Sequence, residues 1–337
     1  MNPTTRRTRR RAVSAAAFAL TLTLAGCGGV EGGGGGGEEV TADEFPSGPV
    51  TLTVGQDAGG STDLIARSLA EAATDDLGEA IVVANKPGAN GAIAAKELAG
   101  QNPDGQNLMV MNASLVAITA LAVDDEPVDI ADYEVITGLS QDDYVLVTHP
   151  ESGLATVEDL GGLGRPLTFG TTGVGTGSQL SQELLFNQAG IDATDVPFDG
   201  GSPALTAVLG QQVDVASIQL GEAYEQIQSG GLTPIVTFSQ ERNKFLPDVP
   251  TAIEAGYDVP VSQYRAVVAP GGTPQAVVEE LRAAFTAAFE DPDYQAFNER
   301  NLLTPHEISG EEVVEEWTGF RDSYAELLEE YDISLSQ

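Results

Sequence analysis

The sequence predicts an α/β protein of two domains, each a mainly parallel sheet flanked by helices. Three observations carry this. Short β-branched runs alternate with segments of helical period, the order that builds parallel sheets covered by helices. The same plan recurs in the second half of the chain. The length is 337 residues, and about 290 of them follow a leader-like stretch, enough for two ordinary domains, each with its own core.

The leader comes first. Residues 6–11 read Arg-Arg-Thr-Arg-Arg-Arg and are followed by an uncharged run, Ala12 to Ala25, too short to span a bilayer; this is the pattern of a secretory signal peptide. Thr8-Arg9-Arg10-Arg11 is also compatible with twin-arginine export. Leu24-Ala25-Gly26-Cys27 resembles a lipobox, so Cys27 is expected to be the lipidated first residue after processing, on the extracytoplasmic face of the membrane. Six glycines, Gly32 to Gly37, then form a flexible tether.

In the first half, Val50 to Val54 is a β-branched strand, and a loop from Gly55 to Ser61 opens a helix with Ser61 or Thr62 as its cap. Leu64, Ile65, Leu69, Ala73 and Leu77 supply its apolar face. Ile81-Val82-Val83 is a second strand, a short Ala-rich helix ends near Gly100, and Leu108 to Met111 is a third strand. In the second half, Val145-Leu146-Val147, Leu167-Thr168-Phe169, Val213 to Ser217 and Ile235-Val236-Thr237 read as strands. Ser178 to Gln188 is a helix, and Ser202 caps another with Pro203 at its first position. The apolar run from Tyr264 to Ala269 is placed to cross back to the first domain. A helix follows Thr273-Pro274, and a final one opens on the capping box Ser309-Gly310-Glu311-Glu312, with Val313, Trp317, Phe320, Tyr324, Leu327 and Tyr331 as a core stripe. The expected division is a signal peptide over 1–26, a tether over 27–45, a first domain of 46–141 plus 264–337, and a second domain of 142–263.

Charge removes several classes of function. The chain has 51 Asp and Glu against 15 Lys and Arg, a formal charge of −36. Five of the basic residues lie in the leader, so a chain starting at Cys27 carries −41 over 311 residues. Such a surface lacks the basic footprint that nucleic acid requires and cannot dock electrostatically on an anionic bilayer. One cysteine excludes an intrachain disulfide. Two histidines, His149 and His306, are too few for a histidine-based zinc site and read as surface-loop residues. No metal or cofactor is expected. The runs Asp124-Asp125-Glu126 and Asp142-Asp143 lack EF-hand spacing and read as solvated surface.

Four loops rich in glycine and hydroxyl residues lie at the carboxyl ends of the expected strands, where open α/β sheets bind ligands. They are Ala58 to Asp63, Met111 to Ser114, Thr171 to Ser178 and Phe198 to Pro203. Amides at helix starts, unobstructed at glycine, suit an anion. Two such loops per half point to an anion site between the halves. Gly173-Val174-Gly175-Thr176-Gly177-Ser178 has no following lysine, so it is not a P-loop, and carboxylate fits better than nucleotide.

With these loops the chain resembles the substrate-binding proteins of tripartite tricarboxylate transporters, the Bug family of extracytoplasmic solute receptors. The resemblance runs over about residues 46–330 and is carried by Pro46 to Val50, Gly59 to Asp63, Asn85 to Gly91, Pro103-Asp104-Gly105, Gly173 to Ser178, Pro197 to Ala204, Leu246 to Thr251 and Ala269 to Pro274. It implies a hinged, two-domain receptor similar to type II periplasmic binding proteins, monomeric and not an enzyme. The same likeness implies a small carboxylate (a di- or tricarboxylate or an acidic amino acid) held in the cleft. Delivery would be to a carrier with one large and one small membrane subunit. By the same resemblance Gly59, Gly60 and Thr62, with Ser61 and Asp63 in the same loop, contact the ligand from the first domain. Thr172, Gly175 and Thr176 contact it from the second, Ser202 closes over it, and Asn112 and Ser114 are further contacts. Two positions depart from the family pattern, Asp57, usually small or apolar, and Asp199, often lysine. Both bring negative charge to the site and favour a ligand with a cationic group.

Six hydrogen bonds to a charged ligand, at roughly 2 kcal/mol each, less an association cost of at least about 4 kcal/mol, leave roughly micromolar affinity. That suits capture and release without a metal or a buried arginine. An exported hydrolase or lyase would have to rely on Asp57 and Asp199 as its acids. A sensor that passes its closed form to a signalling partner is the third reading.

Overall fold

The computed structural model describes residues 45–123 and 127–335. The leader, Cys27, the glycine tether and the Asp124-Asp125-Glu126 run lie outside the described residues.

The first half builds β1 (Val50–Val54), α1 (Ser61–Leu77), β2 (Ile81–Asn85), α2 (Ala92–Ala99) and β3 (Asn107–Asn112), then a π-turn over Leu115–Thr119 that leads into α3 (Ala120–Ala122). A long strand, β4 (Tyr133–Thr148), is followed by α4 (Val157–Gly161), β5 (Leu167–Thr171), α5 (Gly177–Ala189), β6 (Ala193–Pro197), α6 (Gly201–Leu209), β7 (Val215–Gln219), α7 (Leu220–Gln228) and β8 (Thr233–Thr237). The chain returns along β9 (Ser262–Pro270) and ends with α8 (Gln275–Phe289), α9 (Pro292–Arg300), β10 (Thr304–Pro305) and α10 (Gly310–Glu330).

The strand order is β2-β1-β3-β9-β4-β7-β5-β6, with β8 and β10 both pairing β4. The parallel order expected from strand–helix alternation holds for β2-β1-β3 and for β7-β5-β6. The two long strands run against it, since β9 pairs antiparallel with β3 and β4, and β4 antiparallel with β7 and β8. Each sheet is therefore mixed. β4 serves both, pairing β9 from Tyr133 to Asp143 and β7 from Tyr144 to Thr148. From sequence only Val145 to Val147 reads as strand here, because the polar stretch Ser140 to Asp143 interrupts the apolar pattern while the ladder continues through it.

Core packing follows the apolar periodicity. Ile65, Leu69, Ala73 and Leu77 of α1 pack with Val277, Leu281 and Phe285 of α8 over β1. Leu64 does not join them and is 41% exposed. The capping box at Ser309 and Glu312 forms as expected. Along α10, Val313 and Trp317 pack with β3 and β9, whereas Tyr324 and Leu328 join the core around α5 and β5. Two expected caps are shifted by one or two residues. α1 starts at Ser61 with Gly60 as its cap, and α6 starts at Gly201 with Gly200 as its cap, and neither cap supplies a side-chain hydrogen bond.

α5 carries a conflict of charge. Burial pushes Glu183 up to about 7, and Asp195 on β6 adds to the rise. A raised carboxyl pKa stabilises the fold fully below the unfolded value of 4.5 and loses that contribution as pH rises through about 7. Glu183→Gln is therefore expected to melt above the wild type at pH 8, by on the order of 1 kcal/mol after allowing for screening at this partly exposed site. The gap should vanish by pH 4.5. Melting curves at a series of pH values check this, and a gap independent of pH would contradict it.

Candidate functional site

The glycine loops meet in one cleft of about 810 Å³. Of the residues expected at the site, Asp57, Gly59, Gly60, Ser61, Thr62, Asn112, Thr172, Thr176, Asp199 and Ser202 line it. Asp63, Ser114 and Gly175 do not; they lie behind the wall and hold it in shape.

Each of those three has its polar groups committed. Asp63 accepts from the Gly59 amide at 2.8 Å and from Asn85 at 2.9 Å, and pairs with Arg67 at 2.9 Å. Burial works to raise its pKa, but Arg67, the Gly59 amide and Asn85 outweigh this and hold the carboxyl below its usual range. Its role is to fold the first loop back on the helix. Ser114 accepts from Asn90 and from Gln263, both at 3.1 Å. The Gly175 amide donates to Gln179 at 2.9 Å, and its carbonyl accepts from Thr119 at 2.8 Å. With φ at +69° and a Cβ that would sit 2.9 Å from the Thr119 Cα, position 175 admits only glycine without rearrangement. Thr119 thereby ties the turn after β3 to the loop after β5.

The first-turn amides of α1 and α6 face the cleft without a side-chain cap. Capping oxygens normally satisfy such groups, so these are free to receive an anion. α5 differs, because Thr176 accepts from the Gln179 amide and donates to the Gly173 carbonyl at 2.7 Å. Its hydroxyl is held at the cleft wall by this cap.

A buried cation lies under the first loop. Arg265, in the middle of β9, is 1% exposed and pairs with Asp142 of β4 at 2.7 Å. Its Nε donates to Thr62 Oγ1 at 3.0 Å and its Nη2 to Ser61 Oγ at 3.2 Å. Thr62 Oγ1 in turn donates to Asn112 at 3.3 Å. Both hydroxyls of the first loop are thus set by a group that sequence reading placed in an ordinary apolar run. Two expectations are corrected here. Asp142 is not solvated surface but 4% exposed, and the site does rest on a buried arginine. The physical reason is register: Arg265 pairs across the ladder with Ser140, which brings its guanidinium beside Asp142. Asp143, the other half of the acidic pair, accepts from Asn243 and Ser262 at 2.8 and 2.9 Å.

Sequence reasoning also missed Gln56, Asn90, Tyr144, Gln219, Glu222 and Gln263, all of which line the cleft. Asn90 lies in one of the loops that carry the family resemblance. Glu222 had no such signal, since an acid in the first turn of a helix is ordinary. Among the described residues, the lining includes no Lys, Arg or His. His306, expected in a surface loop, is half-buried and contacts Glu316 at 2.9 Å, away from this cleft. A smaller cavity of about 460 Å³, bordered by Gln141, Arg242, Tyr264 and Glu316, has its arginine committed to Glu254 at 2.7 Å. Among the described residues no cluster of three or more His, Cys, Asp or Glu could hold a metal ion.

Comparison with known proteins points the same way as this geometry. Residues 65–315 match the model of the tripartite tricarboxylate transporter family receptor. Protein BugT of Bordetella pertussis is 29% identical over 303 residues, covering 86% of this chain and 93% of BugT. The solved structure of the periplasmic binding protein BugD is 28% identical with a TM-score of 0.78, over 87% of this chain and 100% of that one. MatC from Rhodopseudomonas palustris, solved with bound malate, is 26% identical with a TM-score of 0.76, over 84% of this chain and 100% of MatC.

Proposed function

Because the chain belongs to the tripartite tricarboxylate transporter family of receptors, we propose that it captures a small carboxylate in the cleft between its two sheets and hands it to a membrane carrier. It is a solute-binding receptor and not an enzyme. The observation that supports the ligand class is the pair of uncapped helix starts, α1 and α6, facing one cavity. Amides at a helix start favour an anion without any ion pair. Arg265 contributes indirectly, by holding Ser61 and Thr62 toward the cavity. That MatC was solved with malate supports the same class.

Segments 46–141 plus 264–337 and 142–263 act, in this reading, as two hinged domains. The hinge lies where β4 changes partner between Asp143 and Tyr144, and closure brings the loops of the two sheets onto the ligand. The chain acts as a monomer, exported and anchored through a lipid on Cys27, with the glycine tether giving it reach to the large and small carrier subunits. Mass spectrometry of small molecules released from the purified protein tests the ligand class. A released ligand without a carboxylate, or no thermal stabilisation by any member of a panel of short carboxylates, would overturn it.

Salt should matter to this receptor. A formal charge of −41 on 311 residues, with three lysines in the whole chain, repels both itself and an incoming anion. The Debye length falls from about 10 Å at 0.1 M to about 3 Å at 1 M salt. Melting temperature is therefore expected to rise between 0.1 and 2 M NaCl, and association to quicken, as for a protein adapted to concentrated salt. The control is a neutral osmolyte, and a flat or falling curve contradicts the expectation.

A further inference from the structure

The cleft holds one acid whose position the carboxylate reading leaves unexplained. Glu222 lies in the first turn of α7 and lines the cavity, and its Oε2 is buried without any hydrogen-bond partner. A buried carboxylate oxygen in that state is costly, and native structures seldom leave one so. The nearest cation cannot answer it, because Arg265 is committed to Asp142, Thr62 and Ser61. The cavity lining offers no Lys, Arg or His among the described residues. Asp57 and Asp199 also line it, but both are exposed at its rim, where water screens them. Glu222 is the acid whose charge acts inside.

Its neighbour is the start of α6. A Cβ on Gly201 would overlap the Glu222 carboxylate, so the first residue of α6 lies directly against it. The uncapped amides of α6 and the unpartnered acid are thus side by side in one cavity. A plain dicarboxylate satisfies the amides and confronts the acid with a like charge. A ligand with a carboxylate and a protonated amine a few bonds apart satisfies both.

We propose that Glu222 selects carboxylates that also bear a protonated amine, an amino acid or amino-dicarboxylate, with the ammonium on Glu222 and the carboxylate on the helix-start amides. The inference rests on the carboxylate-receptor reading and narrows it. Burial holds the Glu222 pKa above its ordinary value, Asp142 adds to the rise and Arg265 opposes it. A bound ammonium supplies the positive charge that would relieve this.

Calorimetric titration with matched pairs tests the proposal, succinate against aspartate and glutarate against glutamate, on the wild type and on Glu222→Gln. The wild type is expected to bind the amino member of at least one pair about tenfold or more tightly than its plain partner. In Glu222→Gln the ratio should collapse to within roughly threefold, with the amino acid weakened and the plain acid strengthened. Because the ratio is internal to each variant, partial misfolding does not mimic it. Glu222→Asp, which keeps the charge but withdraws it, should give an intermediate ratio and covers the case of a Gln variant that does not fold. Preference for the plain acid in every pair that binds, or an unchanged ratio in the variants, overturns the proposal while leaving the carboxylate receptor standing. If neither member of either pair binds, the proposal is overturned, and the carboxylate reading stands or falls by the wider panel of short carboxylates.

Discussion

Arg265→Ala should cost about 3–5 kcal/mol of stability, because it leaves Asp142 as an uncompensated buried charge. Asp142 is 4% exposed, so water cannot take the place of the guanidinium. The substitution also removes the donors that orient Ser61 and Thr62, so what folds should bind ligand poorly. A fall of roughly 6–10 °C in melting temperature is expected for a domain of this size. Replacing the pair together, Arg265→Met with Asp142→Leu, should recover most of the stability, since apolar residues of similar volume commonly match or exceed a buried ion pair. It should not recover binding, because the hydroxyls of the first loop remain without their donor. Chemical denaturation and ligand titration of the single and double variants check both halves. A loss below about 1 kcal/mol in the single variant, as at an exposed pair, would mean that Asp142 is not desolvated as the structure has it.

Thr62→Ala combined with Thr176→Ala should abolish ligand-induced stabilisation while the protein stays folded. The two hydroxyls lie at the starts of α1 and α5, helices that follow strands of different sheets, and line the same cavity. Each hydroxyl reaches an anion by turning its proton away from Asn112 or the Gly173 carbonyl. A hydrogen bond to a charged ligand contributes roughly 1.5–3 kcal/mol and the neutral one given up about 1 kcal/mol, so losing both should weaken binding by roughly ten- to a thousand-fold. The fold bears a cost as well. Thr176 caps α5, worth about 1 kcal/mol, and without Thr62 the buried Arg265 Nε loses its acceptor, a further ~1.5–3 kcal/mol. Calorimetry on the double and both single variants is the measurement. Wild-type affinity in the double variant would show that these two hydroxyls do not bind the ligand. A loss in only one single variant would show that binding does not need both sheets.

Wherever the controlling physics is local, the chain is legible from its residues alone. The β-branched run at Val50 to Val54, the capping box at Ser309 and Glu312 and the glycine loops before α1, α5 and α6 all act within a few residues of themselves. That sufficed for the fold class, most elements and the loops that face the cleft. Even there, glycine at both Gly60 and Gly200 displaced the expected hydroxyl caps, because the helices begin one or two residues earlier than the hydroxyls suggest. The charged part of the site was not legible. Arg265 and Asp142 are 123 residues apart, one inside an apolar run and the other in an acidic pair that resembles surface. Only the register of β9 against β4 makes them partners. Glu222 is an ordinary first-turn acid until α6 packs against it. Desolvation and charge pairing depend on what surrounds a group in space, and neighbours in sequence carry no record of it. The sequence by itself determined where backbone amides would be offered to an anion; the tertiary structure decided which charges would be buried beside them.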